Sequence, residues 1–258
     1  MTVEEQPRFR IGDFRDSVRA KYVAVARSPD DRFHFHNGRA LAGLLGYEDD
    51  LVVKLPRVAV ESFCGVGNPL GEITLGSGAA VLDVGCGAGM DALIAAREVG
   101  DGGRVAGVDL TPEMVEAARA AADEAGAAHV TFEVGQAEEL PFGDASFDVV
   151  ISNAVINLVP DKQRMFEEMA RVLRPGGVLS VADIVLAREA PRSVRDLIYR
   201  WTSCVVGGTV EPQLRSLADV AGFDEVEVVS SQDVFDGARG EENADFYGAL
   251  GVTMKAIL

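Results

Sequence analysis

Residues 79–91, AAVLDVGCGAGMD, constrain the fold more than any other stretch of the chain. Ala80, Val81, Leu82 and Val84 form a short apolar run suited to a strand buried on both faces, as in a parallel sheet. Gly85, Cys86, Gly87, Ala88 and Gly89 follow at once, and from Met90 and Asp91 the pattern turns helical through Leu93, Ile94 and Arg97. A strand, a glycine turn and a helix in that order predict a parallel crossover unit. The glycines allow backbone angles closed to other residues and leave no side chain between the turn and a ligand. Such units hold nucleotide-like ligands at the carboxyl end of the strand.

Charge and spacing narrow the ligand. The dinucleotide fingerprint wants a third glycine three places after the second, but that place is Met90, and the glycines fall at 85, 87 and 89. Asp83 stands two residues before the first glycine, where a carboxylate repels a pyrophosphate and suits a cation. S-adenosylmethionine, with an ammonium, a sulfonium and no phosphate, fits this pattern. A second strand, RVAGVDL, ends in Asp109 and Leu110, and the Asp109 carboxylate is placed to accept two ribose hydroxyls.

The composition excludes other classes. With 258 residues, of which 48% are hydrophobic, the chain can bury a full core, and one elaborated domain is expected. A formal net charge of -17 argues against nucleic acid or an anionic membrane as partner, since both need a basic footprint. The opening MTVEEQPRFR has no apolar run and does not read as a signal peptide, and no stretch reaches membrane-spanning length. Cys64, Cys86 and Cys204 are too few and too scattered for a disulfide framework, which predicts a cytoplasmic protein whose cysteines act as thiols.

Three regions follow. Residues 1–78 are expected to form an amino-terminal helical lid, with a helix over 13–27, His34 and His36 between phenylalanines, and Cys64 in the glycine-rich SFCGVGNP. The two histidines lack a third ligand pattern nearby and read as packing or substrate contacts, with no metal site expected. Residues 79–185 alternate strand and helix. Thr111 and Pro112 form a cap and first-turn pair. Gln136, Ala137 and Glu138 form a loop at a strand's carboxyl end, placed to read an adenine. FDVVISN ends in Asn153, near the expected methyl group. A helix with Met165 and Met169 on its core face stops at Arg174, Pro175, Gly176 and Gly177, and VLSVADIV is the fifth strand. Residues 186–258 supply substrate-side helices, one of them with Arg195, Leu197, Ile198 and Trp201, and two closing strands, DEVEVV and YGALGVTMKAIL.

VLDVGCGAG, GVDLTPEMVEAAR, the loop at Gln136 to Phe142, FDVVISN and RVLRPGG stand in the order and spacing of the class I S-adenosylmethionine-dependent methyltransferases, which residues 79–185 resemble. The resemblance implies an α/β, Rossmann-like fold with a seven-stranded, mostly parallel sheet containing one antiparallel strand. It implies S-adenosylmethionine as cofactor, bound by Asp83, Gly85, Gly87, Gly89, Asp109, Leu110, Gln136, Ala137, Glu138 and Asn153. Several members carry Asp where this chain has Gln136.

Across most of residues 60–235, SNAVINLVPDK, RWTSCVVGG and the SFCGVGNP stretch resemble the arsenite methyltransferases. In that family cysteine thiolates hold trivalent arsenic beside the methyl sulfonium, which suits the preference of soft thiolates for soft centres. By position Cys204 matches the late substrate cysteine, and Cys64 lies near an early one, offset relative to Gly67, Asn68 and Pro69. Cys64, Cys204 and Asn153 are therefore the implied catalytic residues, with a metalloid substrate at the two thiols and a thiol reductant as partner. The family also has a cysteine after the serine and asparagine of the fourth strand, where this chain has Ala154. Cys86, inside the cofactor turn, is a poor substitute for it. The alternative is an O-, N- or C-methyltransferase of a small natural-product or quinone-like molecule, with His34, His36 or Tyr199 as base. A third reading is a binder that holds cofactor or metalloid without transfer.

Overall fold

Strand β1 (Ala80–Val84) is buried along its whole length at the centre of a seven-stranded sheet, as its unbroken apolar run requires. The computed structural model describes residues 9–28, 31, 33, 35–195, 197 and 205–258. Helix α1 (Ile11–Arg27), α2 (Gly38–Leu44), α3 (Asp49–Val52) and α4 (Arg57–Glu61) precede β1. After it come α5 (Met90–Val99), β2 (Arg104–Asp109), α6 (Pro112–Ala125), β3 (Val130–Val134) and β4 (Phe147–Asn153). A 3-10 turn (Ile156–Leu158), α7 (Lys162–Val172), β5 (Leu173–Leu186) and α8 (Arg192–Arg195) follow. The chain continues with α9 (Glu211–Ala221), β6 (Asp224–Gln232), α10 (Glu241–Tyr247) and β7 (Ala249–Ile257).

The strand order is β3-β2-β1-β4-β5-β7-β6. β7 alone runs antiparallel to its neighbours β5 and β6, so the expected seven-stranded, mostly parallel sheet is found. From β1 the chain winds outward to β2 and β3, then returns to lay β4 on the other side. That reversal opens a crevice at the carboxyl ends of β1, β2 and β4. Val84 pairs with both Val108 and Ser152, so Gly85, Asp109 and Asn153 stand level, one step beyond three adjacent strand ends.

The core lies on both faces. One layer joins α5 and α6 to α2 and α3 through Leu93, Val115, Leu41, Leu45 and Val52. The other packs Met165, Phe166, Met169 and Val172 of α7 with Leu214 and Leu217 of α9. Helices α2 to α4 thus share the main core, whereas Phe14, Val18 and Val25 of α1 pack in small clusters apart from it. No described helix is long and apolar enough to cross a membrane.

Three local differences from the sequence reading have physical causes. Helix α7 ends at Val172, two residues before the RPGG stop, because Leu173 already pairs with Phe147 and the next registered pair is Val149 with Val178. Arg174 to Gly177 form an irregularity inside β5, held where the Gly176 and Leu258 N–H groups bond Leu258 O and Gly177 O. Thr111 occupies the N-cap of α6 without a side-chain cap bond; the Asp109 carboxylate takes its backbone N–H instead. Tyr247 ends α10, whose C-cap Gly248 has φ +60°, so the last strand begins only at Ala249. Of the helix expected around Arg195 to Trp201, α8 is described and Leu197 lies beyond it, while Ile198, Tyr199 and Trp201 are outside the described residues.

Behind the crevice, the loop after β3 is anchored by Glu168 of α7. Its buried carboxylate accepts from Leu140 N at 2.8 Å, Arg171 Nη2 at 2.7 Å and Arg164 Nη2 at 3.0 Å. The hydrogen-bonded Arg171 guanidinium holds its pKa below the usual carboxylate value. This stabilisation is present above the unfolded-state pKa and is lost as pH falls through the folded one. Glu168→Gln leaves two guanidinium groups short of a charge and is expected to cost about 2–3 kcal/mol at pH 7, read by urea unfolding. The gap to wild type closes below about pH 4.

Candidate active site

The crevice is a cleft with about 1020 Å³ of empty space, counting its open mouth. Of the residues singled out in the sequence, Asp83, Gly85, Gly87, Asp109, Leu110, Gln136, Ala137, Glu138, Asn153 and Cys64 line it together. Gly89 does not. It caps α5 with φ +88°, and a β-carbon there would lie 2.9 Å from the Phe132 ring, so close packing requires this glycine. Cys204, His34 and Tyr199 lie outside the described residues. His36 is half-buried outside the cleft, with Nε2 2.8 Å from Asp236 O, and lines a smaller recess behind the Cys64 wall.

The floor carries carboxylates with no cation beside them among the described residues. Asp83, 2% exposed, has an Oδ2 atom with no hydrogen-bond partner among the described residues. Burial pushes its pKa well up, and the charges of Asp91 and Asp109 push it further. Asp91, in the first turn of α5, is raised to about 6 by burial, against hydrogen bonds from Tyr47 and Asn153. Such a pair awaits a cation, and an unpartnered buried carboxylate oxygen fits an ammonium better than any anion.

Asp109 closes the next strand. Its Oδ2 accepts from Gly87 N at 3.0 Å and its Oδ1 from Thr111 N at 2.8 Å, and the Thr111 side chain adds a further bond, which together fix the carboxylate. Burial raises its pKa while the two N–H groups oppose the shift. Beyond it, Gln136 to Glu138 form the wall, with the Glu138 carboxylate paired to Arg15 of α1 at 3.1 Å. Arg19 of the same helix donates to Leu110 O at 3.1 Å, and Val18 and Tyr22 also face the cleft, so α1 lies along its rim.

On the opposite wall, Asn153 spends its amide on the fold. Oδ1 accepts from Val66 N at 2.8 Å, and Nδ2 is shared among Gly67 O, Asp91 Oδ2 and the Tyr47 hydroxyl. These bonds bring the SFCGVGNP loop against the strand ends and set Cys64 and Gly65 on the cleft wall. Ala154, next to Asn153, has φ +62°, uncommon for a residue with a β-carbon. Cys64, Gly65 and Ala154 also line a smaller recess behind the wall, with Phe35, Leu41 and Phe235. Cys86 is buried in the turn, and burial together with Asp83 and Asp109 pushes its thiol pKa well up, against thiolate formation.

Tyr47, Asp91 and Arg15 were not predicted as site residues. Asp91 had a signal, since it closes the glycine stretch at GAGMD. Tyr47 and Arg15 are far from it in sequence, and only packing brings them near.

Sheet order, switch-point cleft and a carboxylate floor in place of a phosphate cradle define the architecture of an S-adenosylmethionine-dependent methyltransferase. A family model described as a methyltransferase domain matches residues 75–232, and the chain belongs to that family. It is 42% identical over 184 residues to an arsenite methyltransferase of Halobacterium salinarum, spanning 71% of this chain and 47% of the relative. The human arsenite methyltransferase is 39% identical over 154 residues, 55% of this chain and 40% of that protein. The chain therefore spans about half the length of the relatives it matches. A crystal structure of an arsenic(III) S-adenosylmethionine methyltransferase from Chlamydomonas reinhardtii superposes with a TM-score of 0.69 at 34% identity, covering 86% of this chain and 74% of that one.

Proposed function

We propose that the protein transfers a methyl group from S-adenosylmethionine to a trivalent arsenical held by Cys64 and Cys204. The observation that carries this reading is that Cys64 lines the same cleft as Asp83 and Asp109. When bound, S-adenosylmethionine supplies an electrophilic methyl group on a sulfonium. Asp83 takes the ammonium end, the Gly85–Gly87 turn lets the backbone approach, Asp109 takes the ribose hydroxyls, and Gln136 to Glu138 face the adenine. The segment before β1 acts as a lid, with α1 excluding water along the rim.

The thiols hold the acceptor with its lone pair directed at the methyl group, so positioning replaces acid-base catalysis. With Ala154 in place of a third cysteine and Cys86 kept as a thiol, two thiolates remain. Trivalent arsenic that already carries one methyl group needs only two more ligands, so methylarsenite is the preferred acceptor over arsenite. A thiol reductant returns the product to the trivalent state.

The test is mass spectrometry of arsenic species after incubating the reduced protein with S-adenosylmethionine, a thiol reductant and either arsenite or methylarsenite. Dimethylated arsenic from methylarsenite, lost in Cys64→Ser and in Cys204→Ser with cofactor binding retained, is expected. Cofactor binding without any methylated arsenic sinks the metalloid reading. It then favours the second reading, a small organic acceptor, which the apolar recess behind Ala154 supports.

A further inference from the structure

Tyr47 follows α2 on a turn at Gly46, far from the cofactor turn in sequence, yet its side chain is buried beneath the cleft. Its ring meets Phe63 edge-on, with centroids 5.3 Å apart. The hydroxyl lies 2.6 Å from Asp91 Oδ1 and 3.3 Å from Gly67 O, and it accepts from Asn153 Nδ2 at 3.3 Å. A phenol has one proton, and the short distance assigns it to the carboxylate as a charge-assisted bond. Tyr47 does not line the cleft, whereas Asp91 does. The hydroxyl therefore acts on the cleft through Asp91, and the same cluster reaches the loop that carries Cys64.

We propose that Tyr47 is a positioning residue that holds Asp91 as an oriented carboxylate for the cationic methionine end of the cofactor, an assignment that rests on the cofactor reading above. Among the described residues, the titratable groups that act on Asp91 are Asp83 on β1 and Tyr47 itself. Neither is basic. The Tyr47 and Asn153 hydrogen bonds thus supply what a neighbouring cation would otherwise supply, and they hold the Asp91 pKa at about 6 against burial. Removing the hydroxyl raises that pKa, so Asp91 takes up a proton at a higher pH and its attraction for the cofactor is lost sooner.

Calorimetric titration of S-adenosylmethionine between pH 5.5 and 8.5 tests this on wild type, Tyr47→Phe and Asp91→Asn. Asp83 contributes its own acid limb in wild type and Tyr47→Phe, so the difference between the two is read. Tyr47→Phe is expected to move the acid fall in affinity up by about one pH unit, giving about fivefold weaker binding near pH 6, a larger deficit at pH 5.5 and almost none at pH 8.5. A loss of equal size at every pH, or no loss, overturns the assignment, because a merely structural role does not move the midpoint. Asp91→Asn keeps the shape but not the charge, and carries the test if Tyr47→Phe does not fold. Its affinity at pH 8.5 is expected to fall at least tenfold, and wild-type affinity there overturns the assignment. Wild-type protein that binds no cofactor at any pH overturns the cofactor reading and this assignment together.

Discussion

Asp83→Asn is expected to weaken S-adenosylmethionine binding by about 100-fold or more, since removing one member of a buried charge pair costs about 2–5 kcal/mol. The same substitution is expected to stabilise the unliganded protein. The Asp83 pKa is raised by folding, so the folded chain holds the proton more tightly than the unfolded chain. Stability contributed by the protonated form is present below the unfolded value near 4 and is lost as pH rises toward the folded value. Asparagine has no such loss. Its melting temperature is therefore expected to exceed wild type by about 3–6 °C at pH 8, with the difference vanishing toward pH 4. Scanning calorimetry across pH, beside cofactor titration, checks both signs; a variant that is less stable and binds normally would show that Asp83 serves the fold alone.

Gly85→Ala carries the largest expected effect on stability. Gly85 has φ +76°, and a β-carbon there would overlap Val155 Cγ2. The left-handed backbone costs an alanine about 1–2 kcal/mol, and the overlap adds about 1–3 kcal/mol more. Against a typical total of about 5–15 kcal/mol, that is a severe loss. Gly87→Ala is the informative control. Its φ is +52°, but nothing lies within 4 Å of the added carbon, which enters the cleft. It is expected to cost only the backbone penalty while still losing cofactor. Urea unfolding of both variants separates the two glycines, and equal destabilisation would refute the distinction.

The unequal roles of the glycines mark what the sequence could convey. Its spacing revealed the strand, turn and helix, and the alternation of elements carried the sheet, because buried parallel strands leave long apolar runs. Charge placed Asp83 and Asp109 at the strand ends, where the structure has them. Spacing alone could not separate Gly85, pressed on Val155, from Gly89, pressed on Phe132, or from Gly87, which faces open space. Contacts between distant segments were beyond it as well. Asn153 was read as a residue beside the reacting methyl group, yet its amide is taken up by Val66, Gly67, Asp91 and Tyr47. No local pattern announces a bond between residues 106 positions apart.

The backbone at Ala154 narrows the mutational routes open to this enzyme. A residue held at φ +62° can be exchanged for glycine or asparagine at little cost, whereas valine or isoleucine would be strained there. The cleft wall is thus varied in small steps through a restricted alphabet at this position, while Asn153 beside it stays fixed by its four partners. Selection can reshape that one wall without disturbing Asp83 and Asp109 on the floor.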